Sequence, residues 1–154
     1  MKRIIIASIS VLIFSNINAQ SSYDKAIGLK VPGGISVTYK KFVTKTNSGE
    51  ALFTVGNKGF RLTGLYEFNF YSFKNVPNLS WFAGPGAHIG FWKAQYEKDY
   101  GSKADLGIDG IIGLDYKFNN IPINLSVDWQ PSVTLLGSAG FAPAYGGVGV
   151  RYTF

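Results

Sequence analysis

Through most of residues 27–154, apolar side chains recur at every second position. A β-strand has a side-chain period of two, so such alternation predicts strands with one oily face. The clearest run covers residues 123–130. Ile123, Leu125, Val127 and Trp129 share one face there, and Asn124, Ser126, Asp128 and Gln130 the other. In residues 106–118, Leu106, Ile108, Ile112, Leu114, Tyr116 and Phe118 oppose Gly107, Asp109, Gly113, Asp115 and Lys117, with Ile111 out of step. In residues 60–70, Phe60, Leu62, Tyr66, Phe68 and Phe70 oppose Arg61, Thr63, Glu67 and Asn69, with Leu65 out of step. A fourth run sets Trp81, Ala83, Pro85, Ala87, Ile89 and Phe91 against Ser80, Gly84, Gly86, His88 and Gly90. Proline cannot donate to a ladder, so a bulge is expected at Pro85. Shorter runs are Ile27, Leu29 and Val31; Ile35, Val37 and Tyr39; Ala51, Phe53 and Val55; and Val148, Val150, Tyr152 and Phe154. The count is about eight strands.

The connections fall into two sets if the strands run up and down in order. "VPGG", "GNKG", "KAQYEKDYGSKAD" and "LLGSAGFAPA" lie at one end, and "TKTNSG", "SFKNVPN" and "NNIP" at the other. The first set holds the two longest connections and the most charged stretch of the chain. There is no fixed-period repeat and no linker.

An alternating strand does not say which face points inward. A soluble barrel buries its apolar face; a membrane barrel turns that face outward and keeps polar groups within. Here the polar face is rich in Gly, which suits the cramped interior of a barrel of ~8 strands. It also carries both signs of charge: Arg61, Lys117 and Arg151 against Glu67, Asp109, Asp115 and Asp128. Enclosed together, these charges can pair and offset their desolvation. Aromatic residues gather toward the strand ends: Tyr39, Phe68, Phe70, Trp81, Tyr116, Phe118, Tyr152 and Phe154 at one, Phe60, Phe91 and Trp129 at the other. Two aromatic girdles around an aliphatic middle are what the interfaces of a membrane select. The expected fold is therefore all-β: an eight-stranded antiparallel up-and-down transmembrane barrel.

Composition refines this picture. Residues 1–19 begin with Lys2 and Arg3, run apolar from Ile4 to Phe14 and end on Ala19, the pattern of a cleaved secretory signal peptide. Residues 20–154 are then one barrel domain. There is no cysteine, so disulfides do not hold it. The formal charge of +6 falls to +4 without Lys2 and Arg3, and no basic run remains to bind nucleic acid.

The last strand resembles a family signature. Outer-membrane β-barrel proteins of Gram-negative bacteria close on a strand of the form polar-x-Gly-x-x-aromatic-x-aromatic, read by the barrel-assembly machinery. Gly149, Tyr152 and Phe154 match the glycine and both aromatic positions, while Gly147 stands where the pattern has a polar residue. In length, strand number and loop sizes the chain is similar to small barrels of the OmpA/OmpX type, without a periplasmic domain. The "GLDYKF" and "IPINLSVDWQP" stretches are similar to such barrels in Bacteroidetes-type bacteria. The resemblance implies an outer-membrane location, short periplasmic turns, outer-membrane lipid and the assembly machinery as partners, and a structural or surface-interaction role.

Candidate chemistry is sparse. His88 is the single histidine, and alternation turns it inward between Gly86 and Gly90. It is read as a hydrogen-bonded lumen residue; the competing reading is general base of a lipid-modifying enzyme. A third reading, a soluble periplasmic barrel binding an apolar ligand, requires Ile123, Leu125 and Val127 to point inward. No metal, cofactor or catalytic set is expected. The seven lumen charges are expected to form a plug, since eight strands leave an interior just wide enough for side chains. Tyr96, Glu97, Lys98, Asp99 and Tyr100 mark the candidate surface loop, with its ligand unidentified.

Overall fold

A computed structural model describes residues 23–71, 73, 75–96, 103–137, 140–142 and 145–154. The signal-peptide assignment lies outside these residues. Ten strand segments follow one another: β1 (Lys25–Val31), β2 (Ile35–Phe42), β3 (Asn47–Gly56), β4 (Gly59–Phe70), β5 (Leu79–Trp92), β6 (Ala104–Lys117), β7 (Ile123–Trp129), β8 (Ser132–Leu136), β9 (Gly140–Ala142) and β10 (Gly147–Thr153). Both β7 and β8 pair with β6, one beyond the other, so they are two parts of one strand broken at Gln130 and Pro131. On the last strand, β9 pairs with β8 and β10 with β7. The ten segments thus occupy eight positions. Pairing of β5 with β6 and of β1 with β10 closes them into an antiparallel barrel with each strand beside its sequence neighbour.

The register defines the stagger of this closure. Pairing runs from Gly149 through Lys30, Ser36, Thr54, Arg61 and Gly90 to Asp105 on β6. In the other direction it runs from Gly149 through Ser126 to Asp115 on β6. The two paths meet β6 ten residues apart, and this shear tilts the strands around the axis.

The apolar face of every long strand points outward. Leu29, Ile35, Val55, Leu62, Ile108, Val127 and Val150 are all exposed on the wall. Outward aromatics pair along it. Near the short turns Phe70 stacks on Trp81 at 4.1 Å and Tyr116 meets Phe118 edge-on at 4.9 Å. Toward the opposite end Phe60 lies between Phe53 and Phe91, at 5.9 and 4.9 Å.

Two expectations need correction. Pro85 causes no bulge: β5 keeps one register with β6 from Leu79 to Phe91, and Pro85 faces Gly110 within it. The pairing with β4 skips the two positions at Gly84 and Pro85, so the missing donor is absorbed where the ladder is open. The register shift lies instead between β6 and β8, at Leu106 and Gly107. Second, "LLGSAGFAPA" is not all connection, because β8 includes Leu135 and Leu136 and β9 covers Gly140–Ala142. The interior also holds an apolar layer. Leu52, Leu65, Phe82 and Ile111 are buried together inside it.

That cluster explains the two residues out of step, Leu65 and Ile111: both keep the inward parity of their strands and carry an apolar side chain there. Gly113 makes room for it, since a Cβ would lie 2.7 Å from Phe82 Cζ. Phe82→Ala is expected to cost about 3–5 kcal/mol by opening a cavity in this layer. The check is urea unfolding of the detergent-folded protein, where the midpoint falls and the strand signal of the folded state stays.

Candidate functional site

The inward face of the barrel carries charge above and below the apolar layer. On β4, Leu65 lies between Arg61 and Glu67; on β6, Ile111 lies between Asp109 and Asp115. Two polar clusters result. The one nearer the short turns is built on Arg151 and Lys40, both wholly buried. Arg151 donates to Glu50 Oε1 at 2.5 Å, to Thr38 Oγ1 at 2.9 Å, to Ser126 Oγ at 2.7 Å and to Asn124 Oδ1 at 3.2 Å. Lys40 pairs with Glu67 at 2.8 Å and Asp115 at 3.2 Å, and its ammonium sits 4.6 Å from the Phe82 ring centre. Asn124 donates to Asp115, and Asn69 to Ser48 at 2.9 Å.

The second cluster centres on Asp109. Arg61 Nη2 lies 2.5 Å from Asp109 Oδ1, Gln130 Nε2 donates to the same oxygen at 3.2 Å, and His88 Nδ1 lies 2.8 Å from Oδ2. Lys30 extends the chain, pairing with Asp128 at 2.6 Å and donating to Gln130 at 3.4 Å. The far nitrogen of His88 faces Thr134 Oγ1 at 3.5 Å and Asp105 Oδ1 at 3.9 Å. Gly107 leaves space for the imidazole, because a Cβ there would collide with His88 Cε1.

Among the sequence-derived lumen residues, Arg61, Asp109 and Asp128 thus join one cluster, and Glu67, Asp115 and Arg151 the other. Lys117 joins neither: its ammonium donates to the carbonyls of Phe118 and Ile121 at the turn, at 2.5 and 2.9 Å. The physical reason is position, since Lys117 is the last residue of β6 and reaches the rim rather than the axis. Lys30, Lys40 and Glu50 are equal partners that the sequence reading omits. Their signal was present, as each alternates with an outward residue: Leu29, Tyr39 and Ala51.

Gly149, Tyr152 and Phe154 lie at the seam. Gly149 faces inward, and the outward rings of Tyr152 and Phe154 are 6.3 Å apart. The backbones of Phe154 and Lys25 exchange hydrogen bonds of 2.9 and 3.0 Å, which carries the seam past the end of β10. Of the candidate loop, Tyr96 ends a short 3-10 turn (Ala94–Tyr96), and Glu97, Lys98, Asp99 and Tyr100 lie outside the described residues.

Outside the strands, Tyr23 donates to Asp115 at 3.1 Å. Burial pushes its phenol far above the ordinary tyrosine range, against the opposing pull of Lys40. Burial, then the nearby Asp115 charge, pushes Tyr71 up to about 12. Both phenols stay neutral over the physiological range, so they add no charge to the cluster around Arg151 and Lys40.

Two cavities of similar size adjoin the barrel. A shallow groove of about 630 Å³ lies on the outer wall, where Ala51, Gly64 and Ala87 stand side by side in register. A second, of about 640 Å³, opens at the end with the longer connections, lined by Thr54, Lys58, Arg61, Trp92, Asp105 and Tyr145 among others. Beneath it a void of about 10 Å³ has room for one water. Among the described residues no group of three His, Cys, Asp or Glu side chains is placed to hold a metal ion. No protein-family model matches the chain, and no curated protein matches it.

Removing one partner of a buried ion pair leaves the other charge uncompensated, at about 3–5 kcal/mol. Arg151→Met is expected to destabilise the barrel on that scale. Glu50→Gln combined with Arg151→Met is expected to lose less than the two single variants together. Urea-unfolding midpoints of the four proteins check this cycle.

Proposed function

We propose that the chain is an integral outer-membrane protein of a Gram-negative bacterium, exported by its cleaved signal peptide, with a structural or surface-interaction role. The observation that carries this reading is the inversion of the barrel. Long strands present Ile, Leu, Val and aromatic side chains outward, while Lys30, Lys40, Glu50, Glu67, Asp109 and Arg151 are buried within. In water that arrangement wastes the apolar face and pays to desolvate the charges. In lipid it satisfies both, and closure leaves no unpaired edge in the hydrocarbon. A soluble barrel with an apolar core would need Leu125 and Val127 turned inward, and they are 40% and 50% exposed.

The barrel is read as non-porous. The lumen is crossed by Arg151, Lys40 and Phe82, all wholly buried, which leaves side chains where a water path would run. The short turns then face the periplasm, and the longer connections and their cavity face outward from the cell. Gly149, Tyr152 and Phe154 serve as the assembly signal, presented by the strand that must pair with β1.

The reading is also non-enzymatic. Thr134, His88 and Asp109 stand in the order of a nucleophile, a base and an orienting carboxylate. His88 is 2% exposed and faces the lumen, however, where an acyl chain in the membrane does not reach it. Its bond to Asp109 is structural, since it engages Oδ2, the oxygen that Arg61 and Gln130 do not contact.

The first test is electrophoretic mobility of the membrane fraction in SDS, with and without boiling. A band that migrates faster unheated and shifts on boiling is expected; an unshifted protein recovered in the soluble periplasmic extract overturns the membrane reading. The second is His88→Asn. Cells carrying it are expected to keep the lipid A and phospholipid profile of the parent, and a changed profile with a folded barrel restores the enzymatic reading.

A further inference from the structure

We infer that the cavity at the end of the longer connections is a binding site for a neutral, hydroxyl-rich ligand of the size of a mono- or disaccharide. The inference supplies a ligand class to the surface-interaction role and rests on that reading only for where the ligand comes from.

The cavity has the volume of a small-molecule site, about 640 Å³. Its base is formed by two charged side chains that are held in place yet incompletely bonded. Asp105 is 6% exposed; its Oδ2 accepts from Trp92 Nε1 at 3.1 Å, while Oδ1 accepts no hydrogen bond. The nearest cation to Oδ1 is His88 Nε2, at 3.9 Å. Arg61 is fixed through Nη2 to Asp109, and its guanidinium lies 4.0 Å from the centre of the Tyr145 ring. Its Nε has no acceptor. A buried donor and a buried acceptor left open beside one cavity ask for a partner that both accepts and donates.

Charge narrows the class. Among the described residues, the charged ones lining the cavity are Lys58, Arg61 and Asp105. An anion drawn to the two cations meets the Asp105 carboxylate, and a cation drawn to Asp105 meets Arg61 and Lys58. A hydroxyl is neutral and serves both ends, donating to Oδ1 and accepting from Nε. Trp92 and Tyr145 supply ring faces against which the apolar C–H faces of a sugar pack, and the bond from the indole N–H to Asp105 holds the Trp92 ring in place.

The test uses the full mature chain folded in detergent micelles, so that its outcome does not depend on where the protein resides in the cell. Tryptophan emission is followed while glucose, galactose, N-acetylglucosamine or maltose is added to tens of millimolar, with inorganic phosphate and putrescine as charged comparisons. A saturable change with at least one sugar is expected, at least tenfold weaker in Asp105→Ala. Near-ultraviolet circular dichroism shows whether that variant retains its fold. If it does not, Tyr145→Ala at the cavity wall is the second variant, expected to weaken binding at least fivefold. No saturable change with any of the four sugars overturns the inference. So does equal binding by the folded variant, or a stronger response to phosphate or putrescine. An unshifted band in the boiling experiment removes the membrane reading and leaves this result standing.

Discussion

The interior of the barrel depends on Arg151. It sits on β10, the strand that closes against β1, and its guanidinium reaches Thr38 on β2, Glu50 on β3 and both Asn124 and Ser126 on β7. Asp115 on β6 stands 3.9 Å away. One side chain therefore ties both sides of the seam to the far wall. A guanidinium removed from water costs several kcal/mol, and only a nearly complete set of acceptors offsets it. That demand reaches the sequence: each acceptor must lie on the inward parity of its own strand at a height set by the shear. A one-residue slip of any of these strands would turn its acceptor to the outer face and leave the cation bare. The network thus specifies register as well as contributing energy.

Filling a narrow lumen with long charged side chains requires that other inward positions be empty. Gly107 yields to His88 and Gly113 to Phe82, so large and vanishingly small residues face each other across strands. The apolar layer of Leu52, Leu65, Phe82 and Ile111 then divides the charges into two sets. In that low-dielectric middle a charge would have few partners, and apolar side chains fill it without leaving polar groups unsatisfied. The ammonium of Lys40 marks the boundary, pairing with carboxylates on one side and facing the Phe82 ring on the other.

Most of the fold was legible because the period of two is the one rule that every strand obeys. Alternation located the eight positions, and the pairing of mixed charge with glycine pointed that face inward. What could not be read has physical causes. Pairing of charges depends on shear, a property of closure between distant strands, so Lys40 with Glu67 or Arg151 with Glu50 is invisible to a local pattern. Lys30, Lys40 and Glu50 lay on short runs where the outward residues drew attention and their inward neighbours were passed over. Leu65 and Ile111 looked like lapses in the pattern, although they are apolar residues at inward positions. Lys117 has the right parity and the wrong height, and alternation carries no information on height near a strand end. At Pro85 the local rule for a bulge lost to the register held by the rest of β5 and β6.

The same geometry sets one cluster deep in the lumen and the other beside a cavity. The cluster around Arg151 and Lys40 is enclosed within the barrel, where Glu50 Oε2 and Glu67 Oε1 are left without a donor. The upper cluster is different, because Arg61 belongs at once to the lumen network and to the cavity above it. Its Nη2 holds Asp109, and Asp109 holds His88, whose other nitrogen faces Asp105 at the base of the same cavity. These residues form a nearly closed circuit, with its open valences at Arg61 Nε and Asp105 Oδ1. Among the described residues, the buried side-chain atoms without a hydrogen-bond partner belong to Glu50, Glu67, Asp128 and Ser132 as well, but of these residues Arg61 and Asp105 are the ones that line the cavity. Arg61 and Asp105 lie where the strands end and the long connections begin, which is where a rigid scaffold presents its variable surface. Recognition and packing therefore meet at Arg61: the contacts that immobilise its guanidinium from below preorganise it for whatever enters from above.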